Sequence, residues 1–92
     1  MNRATQIALA KIDGFDVFSI SKLPDYNDEG EMLRMLERAR DKNDWSLMIV
    51  SGGTGSDWGV YINKLDKSPL IFERAPTFIE AATEALLKAG EK

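Results

Sequence analysis

Ninety-two residues make one domain, long enough to bury roughly two thirds of the unfolded surface around a single core. Hydrophobic residues at 43% and charged residues at 29% are the balance of a globular chain and not of a disordered one. Twelve basic against fifteen acidic side chains give a net charge of −3, which excludes a strongly basic phosphate-binding surface, and the absence of cysteine and histidine removes disulfides, thiol nucleophiles, Cys/His zinc sites and histidine acid–base chemistry.

The spacing of Ala4, Ile7, Ala8 and Ile12 predicts a short helix over 3–13, capped by Asn2 and closed by Gly14. Phe15–Ile20 alternates weakly and reads as a short edge strand or an extended connector, ended by Lys22-Leu23-Pro24. A second helix is expected from about 28 to 43. Asp28 and Glu31 give it a D-x-x-E start, and acids there oppose the partial positive charge of a helix N-terminus. Its apolar stripe is Met32, Leu33, Met35, Leu36 and Ala39. Glu37, Arg38, Arg40 and Asp41 form its solvated side, where Arg34–Glu37 and Glu37–Asp41 are neighbouring positions.

Three strands follow, at 45–51, 58–63 and 70–73, joined by the turn clusters 51–57 and 64–69. Connections this short join antiparallel neighbours, so the strands form a meander. The T-x-x-E box of Thr77 and Glu80 then opens a last helix. Phe78, Ile79, Ala82, Ala85, Leu86 and Ala89 repeat along it, and Gly90 closes it. The fold class expected is α+β, a three-stranded antiparallel β-meander layered with helices in the order α-(β)-α-β-β-β-α. Trp45, Leu47 and Ile49 oppose Met48 and Val50, and Leu70 and Phe72 oppose Ile71. Strands apolar on both faces need cover on both, from helices on each side or from a second copy of the chain. Three helices are available, which favours the three-layer arrangement.

The residues of Leu23–Val50 (LPDYNDEGEMLRMLERARDKNDWSLMIV), WGVYI at 58–62 and APTFIEAATEALLKA at 75–89 form a pattern that resembles the phage ABA-sandwich domain family. Its carriers are Pro24-Asp25-Tyr26 before the long helix, Trp45 opening the first strand, Trp58 in the second, and the alanine-rich helix after Ala75-Pro76. IALAKIDGF at 7–15 is similar to the family's opening helix and its glycine-aromatic end. The chain lacks the long insert often found in the family between the first helix and the proline. The resemblance implies a helix–sheet–helix layered fold and a phage or prophage origin. It transfers no catalytic residue, since the family has no assigned activity.

Ser51-Gly52-Gly53-Thr54-Gly55-Ser56-Asp57 is the segment closest to a phosphate loop. No lysine follows it and the next element is a strand, so it reads as a turn. Asp25, Asp28, Glu29 and Glu31 place four acids within seven residues, without the ligand spacing of a calcium loop. The plain reading is capping and a solvated first turn. The functional reading is an acidic partner-binding patch, with Tyr26 as aromatic anchor, that meets a basic surface. Trp45, Trp58, Tyr61 and Phe72 at strand spacing read as core rather than as a base-stacking platform, and Arg34, Arg38, Arg40 and Lys42 as a salt-bridged helix face.

Ile7–Ala10 is cut by Lys11 and Asp13, and no run approaches the roughly 18 apolar residues of a membrane span. The expectation is therefore a cytoplasmic protein with no membrane partner, no strong direct nucleic-acid binding, no cofactor, no metal and no catalytic residues. Size and resemblance together lead to a phage-encoded accessory protein that binds a host protein or ribonucleoprotein complex, in its sharpest form an anti-CRISPR inhibitor of host defence. The alternative is a self-associating structural module, a homodimer that buries one apolar sheet face against another copy. A small enzyme or ligand carrier would have to work with carboxylates and lysines alone.

Overall fold

The computed structural model describes residues 2–15, 24–52, 57–65 and 69–90. Each helix starts on a side-chain cap that satisfies an otherwise orphan backbone N–H. In α1 (Arg3–Ile12), Asn2 accepts from the Thr5 N–H at 2.8 Å. In α2 (Glu29–Asn43), Asp28 accepts from Glu31 N–H at 2.9 Å, and in α3 (Phe78–Ala89), Thr77 accepts from Glu80 N–H at 3.2 Å. Two of the ends need left-handed backbone: Gly14, at φ 95°, lies just beyond α1, and Asp44, at φ 58°, closes α2. Asp44 N–H and Trp45 N–H both donate to the Arg40 carbonyl, so the next strand begins at Ser46 and not at Trp45.

The strands β1 (Ser46–Ser51), β2 (Trp58–Asn63) and β3 (Ile71–Ala75) form an antiparallel sheet in the order β1-β2-β3, the expected meander. Gly52 N–H donates to the Asp57 carbonyl at 2.6 Å and closes the first hairpin. The third strand extends beyond its expected end at Glu73, because Arg74 and Ala75 pair with Gly59 and Trp58. Pairing to a central strand outweighs the weak strand preference of those residues. The possible strand at 15–20 lies, apart from Phe15, outside the described residues, as do the tips of both hairpins.

Alternation along the strands sends Leu47, Ile49, Trp58, Val60, Ile62, Ile71 and Ala75 to one face, where Val60 and Ile62 are fully buried. α3 packs on β2 and β3, α2 reaches β1, and α1 and α2 both pack on α3. Phe78, Ala81, Ala82, Ala85, Leu86 and Ala89 are all buried, so α3 is the central helix. Its alanines let its neighbours approach closely. Gly90 serves the same packing, since a Cβ there would stand 2.8 Å from Ile12 Cδ1.

Three expectations need correction. The stripe expected for α1 is displaced, since Leu9 and Ala10 are its buried residues while Ile7, Ala8 and Ile12 are half-buried and Ala4 is exposed. The favoured arrangement of helices on both sides of the sheet is not observed: among the described residues, α2 and α3 cover one face only. The physical reason is α3, whose small side chains accommodate α1 and α2 in the same helical layer. Leu33 also belongs outside the core stripe of α2. It is exposed, while Met32, Met35, Leu36 and Ala39 are buried as expected.

Candidate functional site

Of the five residues expected to form a partner-binding patch, the structure separates one from the rest. Tyr26 is fully buried, and its hydroxyl donates to Asp13 Oδ2 at 2.9 Å. It offers no surface to a partner and cannot serve as an exposed anchor. Asp13, at the end of α1, also receives Arg38 Nε at 2.9 Å and Arg38 Nη2 at 2.6 Å, and its side chain has no solvent exposure. One buried carboxylate thus ties α1 to α2 and to the segment before it. Burial, with Asp13 beside it, pushes the Tyr26 phenol well above its ordinary range, and the bond to Asp13 raises the Arg38 guanidinium further.

The four acids of the patch divide by what they touch. Asp25 accepts from Asn27 N–H at 3.1 Å, and Asp28 caps α2. Glu31 pairs with Arg34 at 2.9 Å and lies 3.6 Å from Arg38. Arg40 pairs with its neighbour Asp41, so the arginines of α2 form the salt-bridged face expected, although with Glu31, Asp13 and Asp41 as partners instead of Glu37. Glu29 alone turns toward a cavity.

That cavity is a groove of about 600 Å³ between the N-terminal ends of α2 and α3, lined by residues that include Asn27, Glu29, Trp58, Phe78, Glu80, Thr83 and Glu84. Leu33, Ile49, Trp58 and Phe78 continue it as an apolar hollow of about 290 Å³. The Trp58 and Phe78 rings meet at 5.7 Å, tilted by 56°. Glu29, Glu80 and Glu84 are exposed on the groove walls, with no ion-pair partner among the described residues. No three acids gather closely enough among the described residues to hold a metal ion. Sequence reasoning named only Glu29 from this set. The spacing of Glu80 and Glu84, like charges four apart on one helix, was the signal available for the other two.

The outer face of the sheet is a second site, and here the aromatic residues read as core divide. Trp45 and Trp58 pack toward the core, whereas Tyr61 and Phe72 lie on the outer face, their rings stacked at 4.1 Å. Met48, Tyr61 and Phe72 are direct cross-strand partners and form one continuous row. Val50 and Leu70 flank it. Met48 is 53% exposed, Leu70 55%, Phe72 40% and Val50 39%. Gly59 allows Phe72 and Val50 to close over the middle strand, since a Cβ there would stand 2.9 Å from the Phe72 ring. The rim is polar, with Ser46, Asn63 and Arg74, the last 3.8 Å from Asp57.

No described helix is long and apolar enough to cross a membrane. Comparison with known proteins finds no matching family model, no matching curated protein and no matching solved structure.

Proposed function

We infer that the protein is a non-enzymatic binding module that closes the outer face of its sheet against a second copy of the same chain. The observation that carries this reading is the row Met48–Tyr61–Phe72 with Val50 and Leu70, left uncovered among the described residues. Contiguous apolar patches of several side chains are uncommon on soluble monomers and mark contact surfaces. A three-stranded face of this length measures about 15 by 20 Å, which suits the apolar centre of an interface but not its whole area. Ser46, Asn63 and Arg74 supply the polar rim that such a centre needs. A two-fold axis through the face would set identical rows against each other, the commonest form of self-association. Sedimentation equilibrium tests this. The wild-type mass should rise toward two chains with concentration, and Phe72→Glu should hold the protein at one chain with an unchanged circular-dichroism spectrum. A single-chain wild-type mass at all concentrations overturns it.

A second reading is favoured by the acid-lined groove, which lies on the helical side, away from the outer face. In it the protein acts in the bacterial cytoplasm as a phage-encoded accessory that binds a host protein or ribonucleoprotein complex, with anti-CRISPR inhibition as its sharpest form. The unneutralised glutamates support a basic partner; the phage setting comes from the sequence resemblance, whose second helical layer is not observed among the described residues. Affinity capture from bacterial lysate should recover one host assembly in stoichiometric amount, lost at high salt and lost with Glu80→Gln/Glu84→Gln. A bait that retains nothing overturns this reading.

A further inference from the structure

We propose that the free edge of β1 is a strand-addition site, where an extended, uncharged segment of a partner protein pairs with Ser46–Ser51 as a further strand of the sheet. The inference goes beyond both readings above and rests neither on the outer face nor on the groove.

The backbone defines the occupant. β1 pairs with β2 without a bulge, from Ser46 opposite Asn63 to Ser51 opposite Trp58. The bond from Gly52 N–H to the Asp57 carbonyl sets the phase of that ladder. Alternate residues of an antiparallel pair point their N–H and C=O at the neighbour. Ser46, Met48 and Val50 therefore face β2, while Leu47, Ile49 and Ser51 face away from it. The sheet ends at β1, and no described residue bonds those outward groups. Trp45, the next residue of the outward series, donates to the Arg40 carbonyl and so ends the open stretch. Donors and acceptors that recur at every second residue are matched by another extended backbone.

The side chains define its chemistry. Edge strands are ordinarily guarded by charges, proline or bulges. β3, the opposite edge, follows that rule: Glu73 is bonded to Lys88, and Arg74 lies 3.8 Å from Asp57. β1 reads Ser-Leu-Met-Ile-Val-Ser, with no charge and no proline. On its inner side Leu47 and Ile49 are only half-buried, although their partners on β2, Ile62 and Val60, are buried. Ile49 also lines the apolar hollow of about 290 Å³ with Leu33, itself 40% exposed. A strand laid along β1 sets one side chain beside Ile49 on that face and others beside Met48 and Val50 on the outer one. The segment this edge selects is thus apolar on both faces and uncharged along its middle.

Amide exchange with water, read by ¹⁵N NMR on the full chain at low and high protein concentration, tests this. In the free protein the amides of Leu47, Ile49 and Ser51 should exchange fast and those of Met48 and Val50 slowly. A capped peptide of sequence KTIVITK should bind saturably and slow Leu47, Ile49 and Ser51 at least tenfold. The same peptide N-methylated at its three central residues keeps every side chain but loses those backbone donors, and should bind at least tenfold more weakly. Phe72→Glu and Glu80→Gln/Glu84→Gln should each leave binding of the unmodified peptide unchanged, which separates the edge from the outer face and from the groove. Slow exchange at the three outward amides in the free protein at every concentration means an edge already paired within the chain, and overturns the proposal. Protection that grows with protein concentration alone assigns the edge to a second copy and also overturns it. No saturable binding, or equal affinity for the N-methylated peptide, does the same.

Discussion

Asp13 and Tyr26 form a buried polar contact that joins the end of α1 to the segment before α2. A phenol whose folded pKa is raised stabilises the fold fully below its unfolded value of about 10, and that contribution is lost as pH rises beyond it. Tyr26→Phe should therefore lose about 1.5–3 kcal/mol at neutral pH, the net worth of one hydrogen bond to a charged acceptor. Its deficit relative to wild type should shrink as denaturant unfolding is repeated above pH ~10. A deficit that stays constant across that range contradicts the role assigned to Asp13. Thr83 predicts the opposite sign. Thr83→Val replaces a buried, unpartnered hydroxyl with a methyl of the same shape, and the thermal midpoint should rise by the equivalent of about 1 kcal/mol. Neither residue disclosed its environment in the sequence. Tyr26 reads as exposed because it sits among acids, and its partner lies 13 residues earlier, while Arg38 completes the site from 25 residues beyond Asp13. Such long-range pairings leave no local pattern.

Helices and strands were far more legible, because caps and alternation are local. Asn2, Asp28 and Thr77 each accept the backbone N–H that their position requires, and the apolar stripes of α2 and α3 fall on the buried faces except at Leu33, whereas α1 buries Leu9 and Ala10 in place of its expected stripe. The end of α2 was read as a stop near Asn43, without the left-handed turn that makes it. Asp44 occupies that turn at φ 58°, where a side chain costs energy and a carboxylate faces the negative end of the helix. Asp44→Gly should therefore stabilise the protein by about 0.5–1 kcal/mol in denaturant unfolding. An unchanged or lower midpoint would mean that Asp44 makes a compensating contact. The strand pattern gave the two faces of the sheet correctly, with Trp45, Leu47 and Ile49 opposite Met48 and Val50. It could not say which face the helices cover, since both are apolar. That depended on α3, whose alanines gather α1 and α2 on one side.

At the scale of the whole molecule, the described helices lie on one side of a sheet that is apolar on both, and the self-association proposed above assigns the second side to another copy of the chain. The outer row Met48–Tyr61–Phe72 is where self-association would act, and the acidic groove opens on the helical side, so the two surfaces can work at once. Met48 provides a direct reporter of the first. It is 53% exposed, whereas Met32 and Met35 are fully buried, so dilute peroxide should oxidise Met48 before either of them. The decisive measurement is the oxidation rate of Met48, read by peptide mass spectrometry, from low micromolar to near-millimolar protein. Closure of the sheet against a second copy predicts that Met48 becomes protected as concentration rises, that Phe72→Glu abolishes this protection, and that Met32 and Met35 stay slow throughout. A Met48 rate independent of concentration over the whole range would contradict it.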